Sequence, residues 1–233
     1  SGIYRIVRGR VNTYVLNDVE SYITVIDTGF PGTTPHVMQL VHDIGRVPQD
    51  VRHILITHAD LDHIGDLRSL VKATGARVYA SAASQTFLKR RRSPPHLRLT
   101  TKVIADSVGF FVLNGVHVDH IVADGDMLDI AGGIRVIATP GHTPDHVSYF
   151  WQRERALFAG DLICNLADGL SLVSDCWMHD ITAARQSAAS VLALDPAIIC
   201  PGHGEIWLAS QAPAQIELLR IPLSAKNSSQ HLG

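Results

Sequence analysis

The sequence predicts an α/β protein of mixed sheets and helices, and three observations carry that reading. Short apolar runs rich in β-branched residues alternate with helix-period segments through both halves of the chain. Four of these runs stop at a polar cluster, or at a Gly or Pro-Gly turn, that carries histidine or aspartate. The 233 residues, 46% of them hydrophobic, suffice for a substantial core, so one domain over 1–233 is expected.

Taken in order, strands are expected near 3–8, 11–17 and 21–27, then a helix near 34–44. Val51 to Ile56 reads as a buried strand, because β-branched residues dominate it and a polar cluster stops it. Asp66 to Thr74 reads as a helix with Leu67, Leu70 and Val71 on one face and Gly75 ending it. Arg77 to Ala80 is another strand, and Ser81 to Lys89 a short helix. The least regular segment is Lys89-Arg90-Arg91-Arg92-Ser93-Pro94-Pro95-His96. Its arginines read as a solvated basic loop, while the segment as a whole is expected to help shape a pocket. Further strands are expected near 110–121, 127–138, 146–151 and 155–159, with a helix near 179–194. A strand at 197–200 and a last helix near 210–220 complete the pattern. Asn165 to Met178 reads as a long loop that either borders a site or covers a sheet edge.

Charge and composition narrow the function classes. A formal charge of −2 gives no general pull towards nucleic acid or acidic lipid. No apolar run approaches the length of a membrane span, and the start of the chain lacks a signal peptide's apolar core. Cys164, Cys176 and Cys200 are odd in number and not spaced as a disulfide framework, which favours a reducing cytoplasm.

The chemistry concentrates in Thr57-His58-Ala59-Asp60-Leu61-Asp62-His63-Ile64-Gly65, at a strand-to-helix turn. Two imidazoles and two carboxylates at alternating positions can converge on one point there. Neutral imidazole and carboxylate are the ligands of zinc, iron and manganese, so the stretch is a metal-site signature. Three further strand ends belong with it: Thr139-Pro140-Gly141-His142, Ala159-Gly160-Asp161 and Cys200-Pro201-Gly202-His203. Any one alone reads as an ordinary turn. All four in this order read as a metal site assembled from distant sequence.

In these residues the chain resembles the metallo-β-lactamase superfamily, whose hallmark is His-x-His-x-Asp-His followed by a separated His, Asp and His. The resemblance runs from Asp27-Thr28-Gly29 to Pro201-Gly202-His203-Gly204. It implies an αββα sandwich, in which two mixed sheets pack face to face with helices outside. It also implies two divalent metal ions, zinc foremost, with iron or manganese as alternatives. One ion would take His58, Asp60 and His142; the other would take Asp62, His63 and His203, with Asp161 bridging the two. Asp27 corresponds to the acidic residue behind the ligands that helps to hold their loops.

Asp60 stands where the family usually has its second histidine. An aspartate on a tight turn can still reach a metal; the other reading is that it points away and leaves one site weak or empty. As a ligand it would lower the charge of the centre to about zero, where the usual set leaves about +1. Weaker Lewis acidity, less attraction for polyanions and better odds for iron or manganese would follow.

The resemblance implies metal-assisted hydrolysis by a metal-bridging hydroxide, with Asp62 orienting or deprotonating the nucleophile and helping to protonate the leaving group. A small-molecule ester, lactone or thioester is the expected substrate, by exclusion; nucleic acid and membrane are not expected partners. β-Lactam or phosphodiester cleavage stays open. So does a di-iron oxidoreductase, because flavodiiron relatives also carry a carboxylate at this position. A degenerate fold that binds without turnover is a third class, disfavoured because every other metal position is filled.

Other residues read more plainly. His146 is expected to pack at the start of a strand, and His117 and His120 to be surface or hydrogen-bonded residues. Asp124-Gly125-Asp126 reads as a hairpin turn, and Cys164 as a small buried thiol. His36 and His42 carry no distinguishing spacing.

Overall fold

The computed structural model describes residues 2–18, 22–97 and 99–211. Elements are numbered in chain order. One sheet holds β1 (Gly2–Arg8), β2 (Val11–Asn17), β3 (Ile23–Ile26), β4 (Val51–Leu55), β5 (Arg77–Ser81) and β6 (His120–Val122), side by side in that order. Its β1–β2–β3 half is antiparallel and its β3–β4–β5–β6 half parallel. The other sheet runs β14 (Trp207–Leu208), β13 (Ile198–Pro201), β10 (Ala156–Gly160), β9 (Val147–Trp151), β8 (Ile134–Ala138) and β7 (Met127–Leu128). There only β10 and β13 pair in parallel.

The period-2 geometry of the strands explains the layers. In β2, Tyr14 and Leu16 face the second sheet, whereas Val15 faces outward. Outward-facing Val15, Val25 and Ile54 bury against Val37 and Val41 of α1 (Thr34–Asp43) and Leu67 and Leu70 of α3 (Leu67–Thr74). Between the sheets, Ile26, Leu55 and Tyr79 meet Val136, Tyr149, Trp151 and Phe158. Leu157, Ala159 and Ile199 pack against Ala184, Ala188 and Val191 of α6 (Ile181–Leu192) on the far side. Helix, sheet, sheet and helix follow one another, the expected αββα sandwich. Strands covered on both faces read as continuous apolar runs, as Ala156 to Gly160 does.

Polar handles join the two sheets at one edge. The Tyr149 hydroxyl donates to the Ile56 carbonyl at 2.9 Å, and the Val147 N–H to the Thr57 carbonyl at 2.8 Å. Tyr14 Oη and Asn12 Nδ2 both donate to the Pro201 carbonyl, at 2.7 and 2.8 Å. This is the edge where β3, β4, β8, β10 and β13 end.

Two expectations are corrected. Strands near 110–121 give way to α5 (Leu99–Val112), and only His120–Val122 is strand. Val-Gly-Phe-Phe-Val has β-type composition, but Ala105 and Gly109, one helical turn apart, bury a face of small residues. The outer face leaves Val103, Ile104 and Phe111 exposed, so no amphipathic period marks the helix. The long loop expected over Asn165 to Met178 is in its first half a hairpin, β11 (Ile163–Leu166) and β12 (Gly169–Leu172), closed by Ala167-Asp168 with Gly169 at φ +90° just after. A short 3₁₀ turn, Asp175–Trp177, follows it. The helix expected near 210–220 lies outside the described residues beyond Gln211. The Ser81 to Lys89 helix is present as α4 (Ala82–Arg90), capped by the Ser81 hydroxyl. Among the described residues no helix is long and apolar enough to cross a membrane.

His53 on β4 gives the fold a pH signature. Burial, reinforced by Arg77, His120 and Arg52, brings its pKa down to about 4 from the ordinary 6.5. The unfolded chain therefore takes up a proton below about 6.5 that the folded chain refuses until about 4, and stability is lost as pH falls through that window. Urea unfolding at pH 7 and pH 5 should show His53→Gln losing less stability over that interval than the parent.

Candidate metal centre

The elements ending at the shared edge deliver the groups of the site. After β4 the chain turns through Thr57-His58-Ala59 into Asp60, which precedes the single helical turn α2 (Leu61–Ile64). Gly65 closes that turn because a side chain there would collide with the Leu61 carbonyl and the Pro31 ring. His142 follows β8, Asp161 follows β10 and His203 follows β13. Gly202 is equally constrained: a Cβ would strike the Asp161 carboxylate and the His63 ring.

The seven residues expected as ligands meet at this edge. His142 Nε2 and His58 Nε2 lie 3.1 and 3.5 Å from Asp60 Oδ2. His63 Nε2 is 3.2 Å from Asp161 Oδ1, while His203 Nε2 and His142 Nε2 are 3.1 and 3.6 Å from Asp161 Oδ2. Asp62 Oδ2 completes the far side, 3.7 Å from His203 Nε2 and 4.0 Å from His63 Nε2. Three donor sets each lie within 4.8 Å: His58, Asp60 and His142; His58, His63 and Asp161; Asp62, His63 and His203. Asp161 stands between the outer two, and Asp60 points into the cluster rather than away.

The donor chemistry fits metal ions. His58 Nε2, His63 Nε2, Asp60 Oδ1 and Asp161 Oδ1 are fully buried and have no hydrogen-bond partner among the described residues. Leaving such atoms unsatisfied costs about 1–3 kcal/mol each, and a cation answers all of them at once. The outer nitrogens of His58, His63 and His203 are already committed. His203 Nδ1 donates to the Arg10 carbonyl at 2.7 Å, and His63 Nδ1 to Asp27 Oδ2 at 2.8 Å. His58 Nδ1 lies 2.9 Å from Thr57 Oγ1, which donates to Asp27 Oδ2 at 2.7 Å. These contacts fix each ring with Nε2 towards the centre.

Titration follows the same opposition of charges. Burial alone would raise Asp161, but His63 and His203 hold it well below the usual carboxylate range. Burial likewise opposes ionisation of Asp60, and His142, His58 and His96 overcome it. His63 is pushed down by burial and pulled higher by Asp161, Asp62 and Asp27, with a net rise.

Sequence reading missed three contributors and undervalued a fourth. Thr57 relays between His58 and Asp27. Asp145 accepts from the Ala59 N–H at 2.9 Å and the Ser84 hydroxyl at 2.6 Å, tying the ligand turn to α4. His96, whose side chain is 1% exposed, comes within 3.0 Å of Asp60 Oδ2. No local spacing marks any of them. His146 does pack at a strand start, as expected, and also accepts the Asp161 N–H at 3.0 Å on Nε2 while Nδ1 lies 2.8 Å from Thr139 Oγ1. Burial, with His58 and His142 nearby, keeps it neutral, as that acceptor role requires. Cys164 is buried beside Ser171, as expected, and His120 is exposed, as expected, and stacks on Tyr79. Asp124 and Asp126 accept backbone N–H groups in a turn that joins strands of the two sheets rather than closing a hairpin.

Asp27→Asn tests the relay. The amide cannot serve as acceptor for Thr57 and His63 together in the same way, so metal affinity should fall about 10–100-fold in chelator competition.

Comparison with known proteins gives the family and the fold. A family model described as the metallo-beta-lactamase superfamily matches residues 6–203. The chain is 30% identical over 196 residues to a beta-lactamase-like protein 2 homolog of Caenorhabditis elegans, covering 84% of this chain and 56% of that protein. It is 32% identical over 158 residues to a hydroxyacylglutathione hydrolase of Rhodopseudomonas palustris, covering 67% and 49%. The chain thus spans about half the length of these two relatives. Among solved structures, the BLEG-1 B3 metallo-beta-lactamase superposes with a TM-score of 0.73 at 23% identity, over 94% of this chain and 99% of that one, which shows the shared fold. The family match runs through every strand end that supplies a donor, and the chain belongs to the metallo-beta-lactamase superfamily.

Proposed function

We propose that this chain is a binuclear metal-dependent hydrolase acting on a small ester, lactone or thioester. The observation that carries the reading is the pair of donor triads, His58–Asp60–His142 and Asp62–His63–His203, with Asp161 between them. These would hold the two ions, zinc foremost. When bound, the ions supply a nucleophile at neutral pH and polarise the scissile carbonyl.

The protein's own groups do the rest. Asp62 and His203 are the most exposed of the seven, at 28% and 24% of their side chains, so substrate approaches from their side. Asp62 is placed there to accept a proton from the attacking water and return it to the leaving group. The other donors are buried, and their low-dielectric setting strengthens every charge contact in the centre. The hydroxyacylglutathione hydrolase relative supports a thioester, though the chain spans only 49% of it. The three free thiols of Cys164, Cys176 and Cys200 support a reducing, cytoplasmic setting.

Asp60 supports a second reading. A buried carboxylate among three imidazoles favours a harder metal than three imidazoles alone would, so a di-iron oxidoreductase is retained as the alternative.

Elemental analysis of the purified chain should give about two zinc or manganese atoms per chain. Two irons, with dioxygen consumption and no hydrolysis, would replace the hydrolase reading by the redox one. Chelation should abolish turnover of lactone and thioester probes, and restored zinc should recover it. Asp62→Asn keeps a ligand oxygen but removes the base, and kcat should fall about 10²–10⁴-fold. Unchanged kcat would remove Asp62 from the chemistry.

A further inference from the structure

His96 lies on the segment between α4 and α5, outside every motif that builds the centre. Its side chain is 1% exposed, its ring centroid is 4.6 Å from that of His142, and its Nε2 is 3.0 Å from Asp60 Oδ2. Among the described residues neither ring nitrogen has a formed hydrogen bond. A buried imidazole is rarely left in that state, so its position against Asp60 calls for a role.

The segment is held in place. The Ser93 N–H donates to Asp106 Oδ1 at 2.7 Å, and Lys102 Nζ donates to the Ser93 carbonyl at 2.7 Å. Ala59, Leu61 and Ile64 of the ligand turn share a small cleft with Arg91, Ser93 and Ala105. His96 is thereby presented to Asp60 by a framework independent of the ligand strands.

The need for it lies in the residue at position 60. An imidazole offers a metal one nitrogen and carries no charge. An aspartate has a shorter stem and a negative charge, and its Oδ2, the oxygen that His58 and His142 face, also faces His96. A carboxylate oxygen has two lone pairs, so Oδ2 can bind a metal and accept from His96 at once, and a donor there keeps the carboxylate from rotating.

We propose that His96 is a positioning residue that donates from Nε2 to the Asp60 carboxylate and holds it as a metal ligand. The site would then use an Asp60–His96 pair where a single histidine otherwise serves. This rests on the reading of Asp60 as a ligand.

Zinc binding to the full chain, measured by competition with a chromophoric chelator, tests it in the parent, His96→Ala, His96→Gln, Asp60→Ala, Asp60→His and Asp60→His/His96→Ala. The parent should bind two ions, and His96→Ala should weaken one of them about 10–100-fold. His96→Gln retains an N–H donor and should recover most of that loss. In the Asp60→His background, His96→Ala should cost less than about twofold, because the group it serves is gone. The cobalt(II) spectrum of one site should shift in His96→Ala and return in His96→Gln.

Unchanged affinities and cobalt spectrum in His96→Ala would overturn the proposal while leaving the two-metal centre intact. A loss equal in His96→Gln and persistent in Asp60→His would overturn it in favour of His96 as a direct ligand. Should Asp60→Ala bind both ions as tightly as the parent, Asp60 is no ligand and the proposal falls with it; a parent that binds no ion removes the metal centre itself.

Discussion

Asp27 ends β3 in a left-handed backbone conformation, φ +56°, that a residue with a side chain seldom adopts, and its carboxylate accepts from the Thr57 N–H, the Thr57 hydroxyl and His63. That one group ties the end of β3 to the end of β4 and sets the rings of His58 and His63. An anion satisfied by three donors tolerates burial at 3% exposure, where an unpaired one would be costly. The rest of the centre depends on it, because the His63 ring in turn meets Asp161 from the second sheet. The strained backbone is maintained by the hydrogen bonds it makes possible.

The same balance governs the whole site. Carboxylates and imidazoles alternate in space, so each buried carboxylate faces imidazoles. His146 is the exception that clarifies the rule. Surrounded by other histidines, it stays neutral and offers Nε2 as an acceptor to the Asp161 backbone. Gly160, with φ +51°, leaves room for that ring to approach. Positioning of Asp161 therefore rests on a histidine that carries no charge.

Architecture makes this convergence possible. β8, β10 and β13 run the same way, β8 and β10 through their common antiparallel neighbour β9 and β10 and β13 as direct partners, so His142, Asp161 and His203 emerge at one edge. β3 and β4 run parallel in the other sheet and bring Asp27 and His58 to it. Contacts between the sheets, through Tyr149, Tyr14 and Asn12, fix the distance across the cleft. Ligands from four strand ends need this registration between sheets more than they need any local motif.

By itself the sequence determined the strands covered on both faces, the turn after β4 and the identity of the groups that meet there. Buried strands and ligand-bearing turns leave dense local signals: β-branched runs, Gly and Pro-Gly stops, and histidine and aspartate at fixed spacing. Helix α5 left none, because its apolar residues surround it and its packing face is made of Ala105 and Gly109. The β11–β12 hairpin was also hidden, since Asn165 to Met178 mixes turn and strand residues without clean alternation. Only the tertiary structure decided that Asp60 faces inward, that Asp145 anchors its turn, and that His96 arrives from 36 positions downstream to meet it. Those are contacts between segments with no shared period, and a linear pattern carries no trace of a distance that only the packing of two sheets and their helices creates.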